Sequence, residues 1–310
     1  MSEALDMHVA SREEQAAAHR NVFDIWSLGR SLDDHVAYRL DSPKHRLATW
    51  YVGCVDCRVV VSLGAYPLQF QLQGQRLPGF AIGSVYTIGD FRGRGYAPQL
   101  ISWVERRQWQ QGAALSLLYS DIKPEYYARQ GYVLCPSLEG RRELAGDEPA
   151  VTDARLVEFS AAEHVQELSK LYDAYHGALP LSIARDADYW QALLARMPDD
   201  RFFRLDTSAG PWQGYVRLAR KDATWRITDY ALADHSPTLA EQLYSASLHL
   251  ARVEGAERFG GWLPDTPAAR KLFDLAPRQT EITMIKPLAA IGIPDEVIAS
   301  AGHFCEVDHV

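Results

Sequence analysis

Val85-Tyr86-Thr87-Ile88-Gly89-Asp90-Phe91-Arg92-Gly93-Arg94-Gly95-Tyr96-Ala97 is the stretch where a β-rich run gives way, through three glycines, to a helical pattern. Leu100, Ile101, Val104 and Trp109 follow at helical spacing. A strand that passes through a glycine turn straight into a helix gathers unpaired backbone N–H groups at the positive end of the helix dipole. That is an anion cradle: Gly93 and Gly95 allow the backbone to approach a phosphate closely, and Arg92 and Arg94 add charge. Two other phosphate motifs are excluded. The P-loop needs a lysine after its glycines, and none follows. The dinucleotide fingerprint would start at Gly93, but Pro98 stands where its third glycine belongs.

Upstream of the cradle, a strand around Met7–Ala10 leads into the capping box of Ser11 and Glu14, which starts a helix running to about Trp26. Ser31 and Asp34 start a second helix, which must stop before Pro43. Ala48–Val55, Arg58–Pro67 and Phe80–Ile88 then read as antiparallel strands, turning at Asp56-Cys57 and at Gln73-Gly74-Gln75. Downstream, Ala113–Tyr119 is a buried strand and Pro124 opens a short helix ending at Gly131. The polar, aperiodic stretch Pro136–Pro149 marks a boundary, with residues 1–148 as one domain and 149–310 as another. Beyond it the element order recurs: strand Ala154–Phe159, helices from Ser160 and Asp186, three strands up to Leu232, helix Pro237–Glu254, strand Arg258–Trp262, helix Pro267–Leu275 and strand Ile282–Lys286. Phe304–Val310 alternates and reads as an added C-terminal strand. Two halves with one element order predict a duplicated α/β (α+β) fold, each half a mixed, largely antiparallel sheet flanked by helices.

The 310 residues, 47% hydrophobic and 23% charged, suffice for two cores. A formal net charge of −8 disfavours nucleic acid and anionic membranes. No apolar run approaches the roughly 20 residues of a membrane span. The polar start lacks the features of a signal peptide, and four cysteines make no disulfide framework, so a cytoplasmic protein is expected. Cys54 and Cys57 form C-x-x-C without a second ligand pair, and the ten histidines show no ligand spacing, so no metal is expected.

Arg92, Gly95 and Ala97 fit Arg-x-x-Gly-x-Ala, and in this the chain resembles the GCN5-related N-acetyltransferase (GNAT) superfamily. The segment Leu117–Tyr132, with Tyr126-Tyr127 before Gly131-Tyr132, is similar to that superfamily's fifth strand and following helix. The two signatures stand in the right order, separated by about the length of a helix plus a strand. The resemblance covers roughly residues 5–135; for the second half it rests on element order. It implies acetyl-CoA as donor, with the pyrophosphate on Arg92, Gly93, Arg94, Gly95 and Ala97 and the pantetheine arm along the strand end that includes Val85 and Thr87. It also implies Tyr127 as the acid that protonates the departing thiolate. Asp121, at the end of the fifth strand, and Asp90, in the cradle, are candidate bases.

In the second half the place of the cradle is taken by Asp229–Leu239, which has no glycine, so that half is expected to be silent. An active first domain with a degenerate second one resembles the Eis-like acetyltransferases, in which the C-terminal carboxylate serves as base. This chain has no room for their third domain. The expected function is acetyl transfer to a primary amine of a small cationic substrate (aminoglycoside, polyamine or lysine-like), held by carboxylates from both halves. The alternatives are acetylation of protein lysines or N-termini, and a non-catalytic acyl-CoA sensor. A homo-oligomer is compatible with either, and a fragment ending near residue 150 is expected to keep some affinity for the donor.

Overall fold

A computed structural model describes residues 4–27, 29–144 and 154–310. Its strands are β1 (Asp6–Val9), β2 (Thr49–Val55), β3 (Arg58–Leu72), β4 (Gln75–Thr87), β5 (Leu115–Ser120), β6 (Val133–Leu134), β7 (Leu138–Glu143), β8 (Arg155–Phe159), β9 (Leu181–Ala184), β10 (Arg201–Thr207), β11 (Gly210–Lys221), β12 (Thr224–Leu232), β13 (Arg258–Trp262), β14 (Asp274–Pro277) and β15 (Ile282–Pro287). They form two mixed sheets flanked by helices. One runs β1-β2-β3-β4-β5-β15-β6 with β9 paired to β3, and the other runs β14-β7-β13-β12-β11-β10-β8. Each contains one parallel pair among the described residues, β4 with β5 and β12 with β13. In both cases a long helix makes the crossover that parallel pairing requires.

Local signals set the helices. The Ser11 hydroxyl accepts from the Glu14 N–H while the Glu14 carboxylate accepts from the Ser11 N–H, and the helix Arg12–Asn21 follows. The Ser31 hydroxyl accepts from the Asp34 N–H at the start of Leu32–Asp41 and donates to the Asp34 carboxylate. The helix Tyr96–Gln110 buries Leu100, Ile101 and Val104 completely against the first sheet. The helix Pro237–Val253 buries Leu243, Tyr244 and Leu248 in the second core.

Three expectations change. The cut between residues 148 and 149 falls outside the described residues, but the sheets on either side of it are interleaved: β7 pairs with β13 and β14 of the second sheet, and β15 sits between β5 and β6 of the first. The helix expected over Pro267–Leu275 ends at Leu272, and Asp274–Pro277 is an edge strand. The C-terminal strand is not formed. Residues 306–308 make a 3-10 turn, because charged anchors pull the tail into the protein instead of letting it pair. The Asp308 carboxylate accepts two bonds from the buried Arg185 guanidinium at 2.8 and 3.2 Å, and Glu306 accepts from Arg226 on β12.

Candidate active site

The site begins with a fault in β4. Gly83 faces Gly64 on β3, but the next registered pair is Tyr86 with Ser62, so Ser84 and Val85 are accommodated in a bulge opposite Leu63. Ser84 takes φ +53°, a conformation few side chains adopt. On the other side, β4 pairs with β5 from Gly79–Leu115 as far as Ile82–Leu118 and no further. The two strands part at the bulge. Beyond Ile82, β4 stays paired with β3, but its edge toward β5 is released and can meet an extended ligand.

The cradle lies at the end of β4. Gly93 and Gly95 adopt φ +75° and +76°, and Gly95 is the N-cap of the 15-residue helix Tyr96–Gln110 with no side chain capping it. A Cβ at Gly93 would meet nothing within 4 Å, and one at Gly95 only Gln99 Nε2 at 3.8 Å. The positive φ therefore demands glycine, and the space above the turn is open on the side the helix N–H groups face. Arg92 donates from Nε to the Thr87 carbonyl at 2.9 Å and lies over the Tyr86 ring, which ties the turn to the strand. Arg94 lies over Phe91, 4.6 Å from the ring centre.

A cavity of about 940 Å³ joins these parts. Val85, Thr87, Arg92, Gly93, Gly95, Ala97, Asp121 and Tyr127 all stand in its wall, whereas Arg94 and Asp90 do not. Tyr127 is buried and packs edge-on against Tyr126 and Tyr132. Burial, with Tyr126 and Asp121 adding to it, raises its hydroxyl above the usual tyrosine value. Asp121 is exposed, and its Oδ1 accepts the Glu281 N–H at 3.0 Å.

Part of the wall comes from outside the segments the motifs single out. Trp26, Tyr38, Arg39, Lys44 and His45 come from the helical segment before β2, and Arg196, Met197, His309 and Val310 from beyond residue 190. Val310 reaches the bulge: a Cβ on Gly83 would lie 3.3 Å from its carbonyl carbon and oxygen. Among the described residues, no Asp or Glu side chain of the second half joins the wall. Asp121 is the one Asp or Glu in the wall among the described residues, against Arg39, Lys44, Arg92 and Arg196. Acids of the second half are committed elsewhere: Asp229 and Asp308 to Arg185, Glu306 to Arg226.

Asp229 sits where a second cradle would begin and is locked to Arg185 by a bidentate pair at 2.8 and 3.0 Å. Away from the cavity, His8, Glu14 and Cys54 offer ligand atoms within 4.8 Å of one another. These groups already satisfy each other. Glu14 is bonded to His8 at 2.8 Å and to the Ser11 N–H, and burial pushes the Cys54 thiol up to about 11. Cys57 is exposed on the hairpin turn. No helix among the described residues is long and apolar enough to cross a membrane.

Residues 8–135 match the family described as acetyltransferase (GNAT) domain. No curated protein matches the chain by sequence. Among solved structures, a conserved Enterococcus faecalis V583 protein described as a probable N-acyltransferase superposes with TM-score 0.73 at 16% identity, over 92% of this chain and 72% of the other. Eis1 from Mycobacterium abscessus gives 0.59 at 17%, covering 92% and 74%. Saccharomyces cerevisiae N-myristoyltransferase with bound myristoyl-CoA gives 0.59 at 11%, covering 92% and 79%.

Proposed function

We propose, from the match of residues 8–135 to the GNAT acetyltransferase domain and from the fold shared with Eis1, that the protein transfers an acetyl group from acetyl-CoA to a primary amine. The observation that carries the reading is that one cavity contains an uncapped helix N-terminus, a parted strand pair and a buried tyrosine.

Gly93, Gly95 and the first N–H groups of the helix would receive the pyrophosphate, with Arg92 fixing the turn, and the freed backbone around Val85 and Thr87 would pair with the pantetheine amides. Bound acetyl-CoA supplies the thioester. Tyr127 then gives its proton to the sulfur as the thiolate departs; a phenol kept neutral by burial suits that task. The amine must lose a proton to attack, and two groups in the wall are placed to take it: Asp121, and the carboxylate that a chain ending at Val310 presents beside Gly83. Of these the Asp121 carboxylate is exposed and already accepts the Glu281 N–H. The second domain, without a cradle, contributes Arg196, Met197, His309 and Val310 to the acceptor side.

The test is release of CoA thiol from acetyl-CoA with a panel of primary amines, alongside titration calorimetry. One acetyl-CoA per chain and amine-dependent release are expected, with binding lost in a Gly95→Trp variant that retains its circular dichroism spectrum. Binding without release on any amine, peptide N-termini and lysines included, would favour the sensor reading. Two donor sites per chain would contradict the silent second half.

A further inference from the structure

We propose that the acceptor amine also carries an anionic group, as an amino acid does, and that Lys44, Arg39 and Arg196 receive that group at the acceptor end of the cavity. The inference rests on the transferase reading for the word acceptor, but the site itself stands on geometry alone.

Three cations from three separate elements meet in this wall: Arg39 from helix Leu32–Asp41, Lys44 from the turn Pro43–Arg46, and Arg196 from the end of helix Ala187–Arg196. None is ion-paired with a described carboxylate. Two are held in place by a single nitrogen. Arg39 donates from Nη1 to His45 Nε2 at 2.9 Å, and His45 in turn is bonded through Nδ1 to the Tyr66 hydroxyl at 2.9 Å. Arg196 donates from Nη1 to the backbone carbonyls of Val307 and His309. The other donors of both guanidiniums, and the whole Lys44 ammonium, meet no hydrogen-bond acceptor among the described residues. Fixed, unpaired donors of one sign make a site for the opposite sign.

No described side-chain carboxylate lies within ion-pair distance of them, although Glu281 acts on Lys44 from farther off. Arg92 belongs to the cofactor turn, Asp121 is engaged by the Glu281 N–H, and Glu281 itself lies 3.6 Å from His309. His45 is pushed down to about 2 by burial and by Arg39 and Lys44, so it stays neutral and adds no charge. Burial first, then Arg196 and Arg39, hold the Lys44 amine below its usual value, with Glu281 opposing them. Beside them Ile25, Trp26 and Met197 give the wall an apolar side. An α-amino acid matches this arrangement, with its carboxylate on the cations, its side chain on the apolar wall and its amine toward the bulge. A polyamine or aminoglycoside would bring further positive charge against these side chains. Of the amine classes named above, the pocket therefore selects the one that bears its own negative charge.

The test pairs turnover with direct binding. Initial rates with acetyl-CoA are compared for leucine and other α-amino acids, for phosphoethanolamine and glucosamine 6-phosphate, and for spermidine and kanamycin. Higher kcat/KM for the anion-bearing amines supports the proposal, and the first two groups separate a carboxylate from a phosphate. A preference for spermidine or kanamycin overturns it. Independently of turnover, the CoA-saturated protein is titrated with N-acetyl-leucine and with N-acetyl-leucinamide. The carboxylate should bind at least about tenfold tighter than the amide, and Lys44→Gln, which removes no hydrogen bond of the folded protein, should abolish that difference while leaving CoA affinity intact. Equal affinity of the two ligands, or no binding of either, overturns the anion site. Tight carboxylate binding with no turnover on any amine would leave the anion site standing and refute the transferase reading.

Discussion

At Tyr127, burial works in favour of acid catalysis. A phenol whose ionisation is hindered by desolvation keeps its proton throughout the working range and has it to give when a thiolate forms. The Tyr127→Phe substitution should lower kcat by about 10²–10⁴-fold with acetyl-CoA affinity retained, the amount general acids contribute. Equal turnover would mean that solvent supplies the proton. Because the folded pKa lies above 10.0, this group should impose no falling limb on the rate below that pH. The tyrosine was legible because the signature around Gly131 singles it out, whereas Asp229 and Asp308 were not. Their partner Arg185 is fully buried and lies 44 and 123 residues from them in sequence. Burial alone would raise the Asp229 carboxyl, but the charge of Arg185 and its two hydrogen bonds hold it below the usual 3.8. For Asp308 burial, helped by Asp229, prevails and raises its value. Removing one partner of a buried pair costs about 3–5 kcal/mol, so Asp229→Asn should lower the melting temperature markedly. Asp308→Asn should cost less, since Arg185 keeps Asp229. The stabilisation due to Asp229 is present above pH 3.8 and is lost as the pH falls through its lower folded value. Identical melting temperatures for the two variants would refute this assignment.

Helices were readable wherever the cap was local. Ser11 and Ser31 each find their partner three residues on, and both helices start where those pairs stand. The cradle was readable for the same reason: its glycines serve backbone angles within one turn. The bulge at Ser84 was not, because it depends on how β4 registers against β3, a relation between two distant runs. Its cost falls on Gly83, whose Cβ position lies 3.0 Å from the Tyr66 ring and 3.3 Å from Val310. A Gly83→Leu substitution should therefore obstruct the parted strands and displace the tail. Turnover should fall by at least about tenfold, as expected when reacting groups move by an ångström or so, while β3–β4 pairing persists by circular dichroism. Undiminished kcat would place the reaction elsewhere in the cavity. The tail was misread for a related reason. Alternation in Phe304–Val310 suits a strand, but Glu306 and Asp308 have better partners in Arg226 and Arg185 than a sheet edge could offer.

For the molecule as a whole, interleaving decides what can stand alone. A fragment ending at residue 148 would lack β15, leaving β5 and β6 without the strand between them, and would lose Arg196 and the tail from the cavity. Contrary to the expectation from sequence, such a fragment should aggregate or remain unfolded and bind no acetyl-CoA, since exposed strand edges invite association. A soluble fragment with a cooperative melting transition and native donor affinity would count against that. The sequence by itself determined many of the strands, the helix starts at Ser11 and Ser31 and the glycine turn before Tyr96, because each rests on residues within a few positions of one another. Only the tertiary structure decided which strands cross between sheets, where the tail ends and what charge the acceptor pocket carries. The net charge of −8 pointed to a cationic acceptor, yet the pocket is lined by Arg39, Lys44 and Arg196. A net charge sums over all side chains, while a site feels those that the fold brings near it and leaves unpaired, and burial commits most of the second half's inner carboxylates to arginines elsewhere.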